Sequence, residues 1–68
     1  MSVLGSNILE LRKEKGWTQK NLAVKINTTE DSIYSWEKGR AEPSVDFIIK
    51  LAEVFGVTTD YLFGLAEY

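Results

Sequence analysis

The sequence contains no cysteine and no histidine in its 68 residues. Without cysteine there is no disulfide framework, thiolate nucleophile or cysteine-based zinc site. Without histidine the usual general base and the commonest metal ligand are also missing. No apolar run approaches the roughly 18 residues of a membrane span, and Met1-Ser2-Val3-Leu4-Gly5 lacks the charged region that opens a secretory leader. Proline occurs once, at Pro43, so little in the chain reads as a rigid linker. No glycine-rich phosphate loop, nucleophile elbow or cluster of metal ligands is legible. The acids Glu30 and Asp31 are adjacent, and neighbouring residues on a helix face different directions, so they make a poor acid–base pair. These absences point to a cytoplasmic binding protein with no cofactor and no metal, and against an enzyme.

What remains is an ordinary globular composition, 44% hydrophobic and 26% charged. A chain of this length is one small domain, expected over residues 1–68, with too little core to enclose a deep substrate pocket. Net charge is −2, which by itself argues against a nucleic-acid partner. The distribution is uneven, however. Residues 1–28 carry Arg12, Lys13, Lys15, Lys20 and Lys25 against Glu10 and Glu14, whereas the remainder carries three cations against eight acids. One basic end can face phosphate while the far end stays acidic.

Cap and turn residues divide the chain into five short helices. Ser6 is placed to cap the first, with Ile8, Leu9 and Leu11 apolar and Gly16 just beyond its end. Thr18 caps the second, from Gln19 to Lys25. Asn27-Thr28-Thr29 is a tight turn, and Thr29 caps a third helix from about Glu30 to Lys38, which Gly39 ends. Ser44 caps the most apolar helix, Val45 to Phe55, closed by Gly56. Thr58 or Thr59 opens a last short helix through Tyr61, Leu62 and Phe63. Nothing alternates with the period of a strand. The expected fold class is all-α, a compact five-helix bundle.

The pair of helices across the three-residue turn is the informative feature. Two helices joined so closely cross steeply and need small atoms where they touch, which Ala23 supplies. Asn27 sits where the backbone must turn left-handed, a conformation asparagine tolerates better than other non-glycine residues. Leu22, Ile26, Ile33 and Trp36 then point inward. An αα-corner in a plain bundle satisfies the same description.

Further residues narrow the choice. Thr18-Gln19-x-x-Leu22-Ala23, Ile33-x-x-Trp36-Glu37-x-Gly39, Pro43-Ser44 and Gly56-Val57-x-x-Asp60-Tyr61-Leu62 occur in this order. Together they resemble the Cro/phage-repressor (XRE-like) type of helix-turn-helix domain, over about residues 7–63. The resemblance implies a lambda repressor-like five-helix fold and a repressor that binds two-fold operator DNA as a homodimer, its third helix in the major groove. It implies a bacterial or phage-infected cytoplasm. On matching positions it implies phosphate contacts from Gln19, which also has the option of bracing the recognition helix, and from Lys38 and Arg40 in the following loop. Thr29 caps and is placed to touch the backbone, and Lys20 and Arg12 are weaker phosphate candidates, equally readable as surface charges.

The recognition helix departs from the pattern. Relatives often carry Arg, Gln or Ser at its first exposed positions, where this chain has Glu30 and Asp31, followed by Tyr34 and Ser35. These four form the expected base-reading surface. A carboxylate accepts a hydrogen bond from cytosine N4, but the helix dipole alone also favours acids in a first turn.

Elsewhere, Trp36 reads as core and Trp17 as a packing residue before the cap of the second helix, rather than a stacking platform for single-stranded nucleic acid. In the fourth helix, Ile48, Leu51, Ala52 and Phe55 form a core stripe flanked by Val45 and Ile49. Phe47 and Val54 are left over, and with Tyr61, Phe63, Leu65 and Tyr68 they form a candidate homodimer patch. Core coverage by the C-terminal tail is the alternative. The competing function is a protein-interaction module, antitoxin- or antirepressor-like, with weak or lost DNA binding.

Overall fold

A computed structural model describes residues 3–66. Its helices are α1 (Val3–Glu14), α2 (Gln19–Ile26), α3 (Glu30–Glu37), α4 (Val45–Phe55) and α5 (Thr59–Leu62), with no strand among the described residues. Most of the expected caps are present. The Thr18, Thr29, Ser44 and Thr58 side chains each accept a backbone N–H from three residues on, at Asn21, Ser32, Phe47 and Tyr61. Each satisfies a donor that the first helical turn would leave unpaired.

The start of α1 differs from expectation. Ser6 does not cap it but lies in its interior, since the helix already runs from Val3. Tertiary packing explains the extension, because Leu4 and Gly5 in the added turn are both buried. A Cβ on Gly5 would collide with the Trp36 carbonyl oxygen and sit 3.1 Å from that of Glu37. Glycine therefore lets α1 press directly onto the end of α3, outweighing the roughly 1 kcal/mol helix-propensity deficit relative to alanine.

One hydrophobic cluster receives side chains from all five helices. Ile8, Leu11, Leu22, Ile33, Leu51 and Leu62 are its largest fully buried members. At four residues α5 is too short to persist alone. It is held by Leu62 in the core and by Asn7 of α1, whose Nδ2 donates to the carbonyls of Tyr61 and Leu62, both at 3.1 Å.

The flanks of α4 are the reverse of the expected arrangement. Val45 and Ile49 are 75% and 47% exposed, whereas Phe47 and Val54 pack against the cluster. At about 100° per residue, Phe47 and Ile49 fall on opposite sides of the core stripe at similar angles. Periodicity cannot rank them. Trp36 decides, its ring centroid lying 5.4 Å from that of Phe47. Trp17 is also a packing residue, stacked on Phe55 at 5.8 Å with Lys25 over its ring.

Candidate nucleic-acid interface

The α2–turn–α3 unit is locked at both ends and in its middle. Thr18 and Asn21 form a reciprocal capping box at the start of α2. Asn27 ends that helix in the left-handed region at φ 61° and ψ 52°, as its position in the turn predicted. It is the one non-glycine residue of positive φ among the described residues. This reversal brings the Thr28 N–H within 2.8 Å of the Ala23 carbonyl, tying the turn back onto α2. Thr29 then opens α3, its Oγ1 accepting from the Ser32 N–H at 3.1 Å and lying 3.0 Å from the Ser32 hydroxyl. Leu22, Ala23, Ile26, Ile33 and Trp36 close the interface between the two helices.

A buried polar cluster fixes α3 against α1 and α2. Glu37 is 4% exposed yet carries an ionised-type pairing: Arg12 Nε donates to its Oε2 at 2.7 Å and Arg12 Nη2 to its Oε1 at 3.1 Å. Gln19 Nε2 donates to the same Oε1 at 2.9 Å, and Arg12 Nη1 donates to the Trp17 carbonyl at 2.8 Å. No buried side-chain nitrogen or oxygen among the described residues is left without a partner.

This cluster bears on two expectations, revising the one for Arg12. Arg12 is neither a free phosphate contact nor a surface charge, because its guanidinium is spent on Glu37 and Trp17. Gln19 takes the bracing option, tying α2 to α3 through Glu37. The central residue, Glu37, was missed as a functional position. Its signal is present in the sequence: it lies four residues after the fully buried Ile33, on the core-facing stripe where an acid requires a partner.

Outward of the cluster, Glu30 and Asp31 are exposed in the first turn of α3, and Tyr34 is 38% exposed one turn later. Ser35 is half-buried, and its carbonyl accepts the Arg40 N–H at 2.9 Å. That bond, with Gly39 in the left-handed region, folds the loop after α3 back beside the helix. Lys38 Nζ and Arg40 Cζ consequently lie 5.7 and 5.5 Å from the centre of the Tyr34 ring. Lys38, Tyr34, Gln19 and Lys13 also line a groove of about 370 Å³, together with the Arg12–Glu37 pair. Lys20 is exposed and makes no ion pair among the described residues.

The residues expected at a dimer patch fall into two groups. Phe47, Val54 and Tyr61 are half-buried against the core, while Phe63 and Leu65 are 46% and 77% exposed. Tyr68 lies outside the described residues.

Two short helices locked across a left-handed turn, within five helices sharing one core, define the helix-turn-helix class. Residues 8–62 match the helix-turn-helix family model, and the chain belongs to that family. It is 36% identical over 64 residues to the HTH-type transcriptional regulator ImmR of Bacillus subtilis (strain 168), covering 94% of this chain and 50% of that protein. It is 43% identical over 54 residues to a putative multi-protein-binding factor 1 of Yarrowia lipolytica, covering 79% of this chain and 36% of the relative. The chain thus spans half the length of one curated relative and about a third of the other. Its fold matches the P22 c2 repressor, solved in complex with the synthetic operator 9T, with a TM-score of 0.89. At 23% identity over 97% of this chain and 100% of that one, this match establishes the repressor-type five-helix fold.

Proposed function

We propose that this chain is a sequence-specific DNA-binding transcriptional regulator, a repressor that engages a two-fold operator as a homodimer in the cytoplasm of a bacterial or phage-infected cell. The observation that carries the reading is the surface of α3. Glu30, Asp31 and Tyr34 are exposed along it, and two cations without an ion pair among the described residues, Lys38 and Arg40, flank its end. The regulator named among the relatives and the operator in the P22 repressor complex support the same assignment.

The proposed roles are as follows. Lys38 and Arg40 contact one phosphate region. Lys20 and the backbone N–H groups at the start of α2, beside Gln19, contact another, where the helix dipole favours an anion. Thr29 completes the backbone contacts from the cap of α3. Glu30, Asp31, Tyr34 and Ser35 face the base edges, the carboxylates suiting cytosine N4. Phe63 and Leu65 lead the dimer contact, with Phe47, Val54 and Tyr61 behind them. The chain works as one domain and binds without cofactor, metal, small molecule or membrane. No helix among the described residues is long and apolar enough to cross a bilayer.

Selection of sites from a randomised duplex pool, at two salt concentrations, tests the proposal. The expected result is a roughly palindromic site with half-sites about one helical turn apart. Arg40→Ala then weakens all sequences alike, while Glu30→Ala changes which sequences bind. Uniformly tighter binding by Glu30→Ala, with preferences intact, removes its base-reading role. No enrichment and no dependence of binding on salt sink the assignment. The second reading, a protein-interaction module, rests on the two exposed carboxylates, which repel phosphate, and on the likeness to a relative named as a multi-protein-binding factor. Capture of a protein partner that Glu30→Lys abolishes supports it.

A further inference from the structure

Base reading accounts for the exposure of Tyr34 but not for the two cations gathered beside its ring. Its ring is flanked by two cations from the following turn, Lys38 Nζ at 5.7 Å and Arg40 Cζ at 5.5 Å, both within the range of attraction by an aromatic face. Neither cation forms an ion pair among the described residues. Arg12 offers the contrast within the same molecule, its charge cancelled by Glu37 at 2.7 Å. A carboxylate holds a cation by neutralising it. An aromatic face holds a cation and leaves its full charge available, because the ring supplies a quadrupole and no net charge. The local backbone favours the arrangement, since the Arg40 N–H is bonded to the Ser35 carbonyl at 2.9 Å and holds the Arg40 backbone beside α3.

Two like charges drawn to one ring repel each other, and the groove lined by Lys13, Gln19, Tyr34 and Lys38 opens beside the ring and the first of the two cations. A group that relieves this repulsion is anionic and small enough to bridge both cations, and a backbone phosphate diester has that chemistry. We infer that Tyr34 is a positioning residue, whose ring holds Lys38 and Arg40 in register for one DNA phosphate and so supplies sequence-independent affinity, separable from any contact of its hydroxyl with a base. This rests on the DNA-binding reading above and deepens it.

The test compares wild type with Tyr34→Leu and Tyr34→Phe, using a short mixed-sequence duplex and a site selected from the randomised pool. Each is titrated between about 50 and 200 mM salt, where phosphate contacts dominate the change in affinity. Tyr34→Leu keeps apolar bulk and loses the quadrupole. It is expected to weaken the mixed-sequence duplex about fivefold at the lower salt, and the selected site by at least that factor, and to reduce the salt slope by up to about 1. Tyr34→Phe restores affinity and slope on the mixed-sequence duplex. In a background of Lys38→Gln and Arg40→Gln, Tyr34→Leu has no further effect. Unchanged binding of the mixed-sequence duplex by Tyr34→Leu overturns the inference while leaving the DNA-binding reading intact. So does a loss that Tyr34→Phe fails to restore. Absence of salt-dependent binding by wild type to either duplex overturns both. Far-ultraviolet circular dichroism of each variant separates these losses from unfolding.

Discussion

Replacing Glu37 with alanine leaves the Arg12 guanidinium in a site where its side chain is only 12% exposed, with a single remaining acceptor, the Trp17 carbonyl. Three hydrogen bonds disappear at once, two from Arg12 and one from Gln19. Removing one partner of a buried ion pair costs about 3–5 kcal/mol, mostly the penalty of an uncompensated charge. Arg12 retains some access to water, so the lower end, about 3 kcal/mol, applies here. A chain of 68 residues at roughly 0.05–0.15 kcal/mol per residue has a total stability of about 3–10 kcal/mol. Glu37→Ala therefore removes between a third and nearly all of it. Urea unfolding followed by tryptophan fluorescence and circular dichroism measures the loss as a lower midpoint at unchanged slope. The pair's own contribution is different. Arg12→Met with Glu37→Leu replaces both charges by apolar groups of similar length, and the double variant is expected to be far more stable than Glu37→Ala. If Glu37→Ala costs less than about 1 kcal/mol, or the double variant is as unstable as the two single losses combined, the buried-charge argument fails.

Two further predictions concern backbone positions. Gly5→Ala raises the intrinsic helix propensity of α1 but is expected to destabilise the chain by about 1–3 kcal/mol, since the new methyl meets the carbonyls that end α3; a higher thermal midpoint would show that α1 can back away freely. Asn27→Ala is expected to cost about 1 kcal/mol for a left-handed residue, and Asn27→Gly about nothing. Equal stability of these two variants in the same urea titration would mean that the turn relaxes out of its left-handed geometry.

Much of the architecture was legible because its determinants are local. Thr18, Thr29, Ser44 and Asn27 act within three or four residues of themselves, so a linear reading could place the helix starts and the reversal between α2 and α3. The order of motifs from Gln19 to Leu62 was sufficient to indicate the family. Charge arithmetic along the chain was less reliable. It counted Arg12 toward a phosphate-facing surface, whereas the fold buries it against an acid 25 residues away. The first turn of α1 escaped detection for a similar reason, because Gly5 is a poor helix former by itself and is helical where it packs on the end of α3.

By itself the sequence determined α2 to α5 and their N-caps, the left-handed turn and the inward stripe that closes α2 on α3. Each depends on periodicity or on side chains bonding to adjacent backbone, and such interactions are encoded in short stretches. Only the tertiary structure decided which flank of α4 is covered, which cations have an ionic partner among the described residues, and that Tyr34, Lys38 and Arg40 form one group. Those outcomes depend on which element lies opposite. Trp36 covers Phe47 and leaves Ile49 in solvent, and Glu37 takes Arg12 and leaves Lys38 and Arg40 their charge. A helix carries its own angular pattern, but its neighbours determine what meets each face.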